Sequence, residues 1–147
     1  MAYPALSAVC GDLVNLNKVH HGNLCGLLDI RIDAVGPKFI RGSMPVDERT
    51  HQPMGLLHGG ASAVLAETLG SSASYLLVAG LPGARVAGVE LNASHLRAVR
   101  SGRVTGVCRP LRLGRTLHFW NIDISDESGR AVCVCRLTVN VSRSSQA

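Results

Sequence analysis

Gln52-Pro53-Met54-Gly55-Leu56-Leu57-His58-Gly59-Gly60, followed by Ala61-Ser62-Ala63-Val64-Leu65-Ala66-Glu67-Thr68-Leu69-Gly70, decides how the rest of the chain is read. The first half is a turn that leads through His-Gly-Gly into a helix, and the second half is that helix. Glu67 is the one charged residue between Gly60 and Val78. A carboxylate in apolar surroundings loses hydration unless partners compensate, and such an acid is commonly kept because its proton affinity is used. At the helix entry, Gly59 and Gly60 offer backbone N–H groups with no side chain in the way. The positive end of the helix dipole favours an oxyanion there. One short segment thus carries an acid or base and an oxyanion site, a layout suited to acyl transfer.

Outward from this segment, hydrophobic patterning and turn signals give one long helix, a short one and several strands. A short helix is expected over 13–19, ending at the exposed pair His20-His21. Strands are expected over 27–35 and 39–46, split by Gly36-Pro37. The long helix should span 60–78 and stop before Gly80-Leu81-Pro82-Gly83. Four more strands are expected over 85–98, 103–112, 116–125 and 131–141. In the last, Ala131, Cys133, Cys135, Leu137, Val139 and Val141 alternate onto one face. Residues 143–147 read as a disordered tail. The long helix is thin: Leu65, Leu69 and Leu76 form an apolar stripe among Ala, Ser and Gly. Glu67 lies about 200° round the helix from Leu65, so it should face away from that stripe, with Ser71 one turn on.

The chain has 147 residues, 46% hydrophobic and 17% charged, enough for a single domain with its own core over 1–147. No uninterrupted apolar run reaches membrane-spanning length, and the N-terminus lacks the pattern of a secretory signal. Cys10, Cys25, Cys108, Cys133 and Cys135 have no metal-ligand spacing. They read as buried thiols in a reducing cytoplasm. The net charge is +5, and no Asp or Glu occurs between Glu90 and Asp123, where Arg97, Arg100, Arg103, Arg109, Arg112 and Arg115 crowd. Arginine forks suit phosphate. With 3% aromatic residues and no nucleic-acid motif, base stacking is poorly served, which leaves a phosphate-bearing cofactor or simply a solvated basic face.

The motif Gln-Pro-x-Gly-x-x-His-Gly-Gly with Glu on the next helix resembles the hotdog-fold acyl-CoA thioesterases. Within them it resembles the aryl-CoA branch of 1,4-dihydroxy-2-naphthoyl-CoA thioesterases and the proofreading thioesterase of enterobactin synthesis. Leu28-Asp29-Ile30-Arg31, Met44-Pro45-Val46-Asp47, Leu91-Asn92-Ala93, Gly102-Arg103-Val104 and Arg136-Leu137-Thr138 fall in the same order, so the resemblance covers about 22–141. It implies an α+β fold in which a curved, mainly antiparallel six-stranded sheet wraps the long helix. It also implies dimers with sites shared between subunits, commonly paired into tetramers. The implied substrate is an acyl-CoA bearing an aryl or other bulky group, cleaved to the free acid and coenzyme A. No metal, no separate cofactor, no nucleic acid and no membrane are involved.

The resemblance also distributes roles. Glu67 is the general base or the nucleophile, two routes the residues leave open. Gly59 N–H is the oxyanion donor, Gln52 bonds the thioester oxygen or positions water, and Ser71 holds water or the carboxylate. His58 either polarises the carbonyl or braces the loop. Coenzyme A should run past Gly88, His95-Leu96-Arg97-Ala98 and Arg112-Leu113-Gly114-Arg115-Thr116-Leu117. Met54, Leu57 and Thr68 should line the acyl pocket. Ser62 is near His58, but no Gly-x-Ser-x-Gly elbow supports a serine nucleophile. Acyl groups on a carrier protein are an alternative substrate. A non-catalytic acyl-CoA sensor and a hotdog hydratase are the competing functions, and Glu67 and the absence of the hydratase motifs count against them.

Overall fold

Helix α4 (Gly59–Val78) forms because its run of Ala, Leu, Ser and Glu has no proline and is capped by His58 at one end. It carries few large side chains, so a sheet can close over it. The strands are β1 (Arg31–Gly36), β2 (Phe39–Pro45), β3 (Ala84–His95), β4 (Arg103–Leu113), β5 (Leu117–Asp126) and β6 (Ala131–Arg143). They form one six-stranded sheet in the order β1-β2-β4-β5-β6-β3, every neighbouring pair antiparallel. Three short helices precede it: α1 (Leu6–Val9), α2 (Leu13–Lys18) and α3 (Leu24–Leu27). This computed structural model describes residues 2–11 and 13–143. The expected tail therefore lies outside the described residues beyond Arg143, which closes β6.

The sheet is dented where the helix crosses it. Gly42 of β2 and Gly106 of β4 are register partners, and a Cβ on either would come within 3 Å of the Leu69 side chain. Leu69 thus fills a hollow made by two missing side chains. On the helix, a Cβ at Gly70 would lie 2.4 Å from Leu137 of β6. The roughly 1 kcal/mol that glycine costs a helix is offset here by close helix–sheet contact. Leu65, Leu69 and Leu76 are buried as the stripe requires, with Trp120, Ile122, Ile124, Leu137 and Val139 opposite. Helix and curved antiparallel sheet together make the hotdog arrangement.

The structure differs from the sequence expectation at several points. The first strand starts at Arg31, not residue 27, because Asn23 caps α3 by accepting from the N–H groups of Cys25 and Gly26. The chain then turns through Asp29 at φ 51°. α1 was not anticipated. His20 is buried rather than part of an exposed helix end, while His21 is exposed. β3 ends at His95, three residues early, since Leu96 and Arg97 both donate to the carbonyl of Val132, the residue at which β6 shifts register against β5. That shift pairs Ser125 with Ala131 and Ile124 with Cys133. It puts exposed Ala131 off the buried face, so the alternation begins at Cys133. α4 does have the length and mean hydropathy, 1.2, of a membrane-crossing helix, but 61% of that window is buried under the sheet. It is a core helix.

Candidate active site

The loop from Val46 to His58 is held by its own backbone. Thr50 Oγ1 donates to the Pro45 carbonyl at 3.0 Å, and His58 N–H donates to the Thr50 carbonyl at 2.8 Å. Leu57 N–H reaches Val99 O at 2.8 Å, tying the loop to the segment after β3. Gln52 N–H donates to Leu56 O and Gly55 N–H to Gln52 O, a tight turn that Gly55 completes at φ 72°. The Gln52 side-chain oxygen accepts from Met54 N–H. Its amide nitrogen has no hydrogen-bond partner among the described residues and is available as a donor.

This loop delivers Gln52 and Gly59 to one cavity of about 380 Å³, lined also by Leu56, Leu57, Ser62, Val132 and His95 to Ala98. His58 caps α4, its Nδ1 accepting from Gly60 N–H at 2.7 Å. This bond braces the helix entry. Gly60 N–H is therefore occupied, whereas Gly59 N–H has no hydrogen-bond partner among the described residues. A Cβ on Gly59 would lie 2.7 Å from His95 Nε2. A larger residue here would have to displace the His95 imidazole.

Glu67 lies in a different cavity. It is half-buried on the side of α4 away from the Leu stripe, as its helical angle requires. Ser71 Oγ donates to its Oε1 at 2.8 Å. The carboxylate rests over Gly88 of β3, where a Cβ would come 2.2 Å from Oε1. Its cavity, about 430 Å³, is walled by Leu24, Cys25, Ala63, Val64, Thr68 and Leu91. Thr68 Oγ1 donates to Val64 O at 2.7 Å and stands 3.3 Å from Cys25 Sγ. The walls are apolar, and the polar groups in them are mostly engaged with one another.

The expected site residues are thus sorted into separate places. Gln52, Leu57, Gly59, His95, Leu96, Arg97 and Ala98 share one cavity. Glu67 and Thr68 share another, with Ser71 and Gly88 against the Glu67 carboxylate. Met54 is exposed on the loop tip. The hairpin Arg112 to Leu117 joins β4 to β5 at the end remote from Arg103, about 33 Å away by strand length. It is tightened by Gly114 N–H donating to Leu117 O at 2.8 Å. The crowding of arginines in sequence is therefore not crowding in space. Arg103 is drawn away to Asp29, at 3.5 Å, and to the Ser43 hydroxyl. Arg97, Arg112 and Arg115 are exposed and make no ion pair among the described residues. Sequence reasoning missed Leu24, Cys25 and Leu91 as cavity walls. Leu24 and Cys25 belong to the unanticipated α3, and Leu91 was read as a strand residue within the resembling pattern, not as a wall.

Comparison with known proteins fits this geometry. The Thioesterase superfamily pattern matches residues 54–133. The 1,4-dihydroxy-2-naphthoyl-CoA hydrolase of Escherichia coli is 52% identical over 126 residues, covering 86% of this chain and 91% of that protein. The proofreading thioesterase EntH of Cronobacter turicensis is also 52% identical over 126 residues, covering 86% and 90%. A crystal structure of a mutant of the Pseudomonas aeruginosa thioesterase PA1618 superposes with a TM-score of 0.88 at 50% identity, covering 90% of this chain and 95% of that one. With its wrapped helix and His-Gly-Gly entry, this chain belongs to the thioesterase superfamily, as a thioester-hydrolysing enzyme of the hotdog fold.

Proposed function

We propose that the protein hydrolyses acyl-CoA thioesters carrying aryl or other bulky acyl groups, at sites that each combine two subunits. The observation that carries this is a separation along α4. Gly59 and Glu67 are eight residues apart, about 12 Å along the axis, and they open into different cavities. Thioester hydrolysis needs the oxyanion donor and the carboxylate around the same carbonyl, with reacting atoms about 3–3.5 Å apart. One chain cannot supply both to one carbonyl. A second chain can, because β3 is an edge strand with Glu67 beside it and leaves Val89 of its bulge exposed. An open edge of this length invites pairing with another strand.

In the combined site, Gly59 N–H and the Gln52 amide of one subunit take the carbonyl oxygen. Glu67 of the other takes a proton from water, whose oxygen bonds to the carbonyl carbon. The charge moves onto the carbonyl oxygen and is held there, a contribution of roughly 3 kcal/mol per donor in comparable sites. Collapse restores the carbonyl and breaks the carbon–sulfur bond. The coenzyme A thiolate recovers the proton from Glu67, and free acid leaves. Direct attack by Glu67 through a mixed anhydride would use the same residues. Ser71 serves either route by fixing one carboxylate oxygen and leaving the other for the reaction.

The apolar walls at Leu24, Val64, Thr68 and Leu91 would take the acyl group, with Met54 and Leu57 closing from the other subunit. Gly88 and the His95 to Ala98 segment would meet the pantetheine arm. Arg97, and Arg112 to Leu117 of a neighbouring subunit in a tetramer, would meet the phosphates. Cys25, Cys108, Cys133 and Cys135, reduced thiols in this structure, suit a cytoplasmic enzyme. Coenzyme A enters only as part of the substrate. A panel of acyl-CoAs monitored with a thiol reagent tests the reading: release should be fastest with aryl-CoAs, and Arg115→Ala should raise KM for them but not for the matching acyl-pantetheine. No thiol release from any acyl-CoA would refute it.

A further inference from the structure

His95 stands apart from the other residues of its cavity because two buried thiols lie behind it. Its Nδ1 is 3.4 Å from Cys133 Sγ, and Cys133 Sγ is 3.5 Å from Cys135 Sγ. Both cysteines are on the buried face of β6, while His95 itself is open to the cavity. Burial keeps the thiols protonated: it raises the Cys133 pKa, and Cys135 is pushed up to about 12 by burial and by Cys133. The direction of the two contacts then follows from counting protons. If Cys135 S–H points to Cys133, and Cys133 S–H points to His95 Nδ1, each thiol proton has an acceptor. In the opposite direction the Cys135 proton would meet no hydrogen-bonding atom assigned to it among the described residues. Imidazole nitrogen is also a far better acceptor than sulfur. A neutral His95 that accepts at Nδ1 must carry its own proton on Nε2.

We propose that Cys133, backed by Cys135, is a positioning residue that fixes His95 as the Nε2–H tautomer, and that His95 Nε2–H is a further donor to the thioester carbonyl oxygen, beside Gly59 N–H and the Gln52 amide. The distances allow it. The Cβ position at Gly59 is 2.7 Å from Nε2 and lies about 2.5 Å from the Gly59 nitrogen by covalent geometry. The two nitrogens are therefore at most roughly 5 Å apart. Two donors each about 2.9 Å from one oxygen can stand up to roughly 6 Å apart. The inference rests on the thioesterase reading above, and it gives His95 a place at the reacting carbonyl as well as along the pantetheine arm.

The test has two independent readouts. Two-bond proton–nitrogen NMR on the uniformly 15N-labelled native protein assigns the His95 tautomer without any substrate. The expected result is a proton on Nε2, and a proton on Nδ1 overturns the proposal. Steady-state kinetics on the best aryl-CoA then compares variants. His95→Ala should lose kcat by about 100-fold. Cys133→Ala should lose kcat about tenfold with KM within about threefold, and should shift the His95 signals toward a tautomer mixture. Cys133→Ser, which keeps a donor at that position, should recover most of the loss. An unchanged kcat in folded Cys133→Ala, or a rise in KM with no fall in kcat, contradicts the proposal. If the native protein cleaves no acyl-CoA, the donor role falls with the thioesterase reading, while the NMR result still decides whether the thiols hold the tautomer.

Discussion

At the scale of single residues, Glu67 is the proposed catalytic carboxylate, and its surroundings hold it for that role. The Ser71 hydroxyl holds one carboxylate oxygen at 2.8 Å, and Gly88 gives the group room that a side chain would fill. Glu67→Gln keeps the shape and removes the charge. Turnover should fall 100-fold or more, about 2.7 kcal/mol in the barrier, while coenzyme A affinity measured by calorimetry persists. Turnover within a few-fold of the native enzyme would remove Glu67 from the mechanism. A second residue-scale expectation concerns acid stability. Burial lowers the pKa of His20 and of His118 below the usual 6.5. Below about pH 6.5 the unfolded chain then binds more protons than the folded one. The stability that these neutral histidines contribute is complete above that pH and is lost as pH falls through their folded pKa values. Thermal melts should show Tm dropping from pH 7 to 5.5, and His20→Gln with His118→Gln should flatten that slope; an unaltered slope would refute the assignment. The placement of Glu67, half-buried on the side of its helix away from the leucine stripe, was legible in the sequence from its helical angle. The burial of His20 was not, since it depends on α3 folding back: a Cβ on Gly26 would come 2.3 Å from the His20 carbonyl oxygen.

At the scale of elements, α4 and the sheet fit through absent side chains. At Gly42 a Cβ would be 2.7 Å from the Arg31 backbone oxygen as well as 2.9 Å from Leu69, so the obstruction includes atoms that cannot swing aside. Gly42→Ala should cost about 1–3 kcal/mol in denaturant unfolding, the usual range for overpacking. Gly80→Ala, where nothing lies within 4 Å, should change stability far less. Equal effects at the two positions would contradict the dented-sheet account. The major strands and the long helix could be read from the sequence to within a few residues because each has a strong period or a strong stop, such as Gly80 to Gly83. The ends that shifted did so for tertiary reasons. β3 stops early because Leu96 and Arg97 both turn to Val132, and β1 starts late because Asn23 caps a helix. The arginines illustrate the same limit: those at 97 to 103 and those at 112 and 115 are near in sequence, yet β4 carries them to opposite ends of the sheet.

At the scale of the whole molecule, the proposed active site is divided into two halves that face different cavities of one chain. The Gln52 and Gly59 half is built by the loop before α4, and the Glu67 and Ser71 half by the middle of α4 against β3. The sequence already pointed Glu67 away from the helix's own core stripe, and the fold places Gly59 and Glu67 in different cavities. The measurement that tests this most directly mixes two inactive variants, Glu67→Ala and Gly59→Pro, each first shown to fold. Proline is tolerated at the first helical position and lacks the N–H, although it also crowds His95. With random exchange, half of the dimers are mixed and one of their two sites carries neither lesion, so roughly a quarter of native activity per site should return. Mixed dimers demonstrated by native mass spectrometry, with no recovered thioesterase activity, would contradict the shared site.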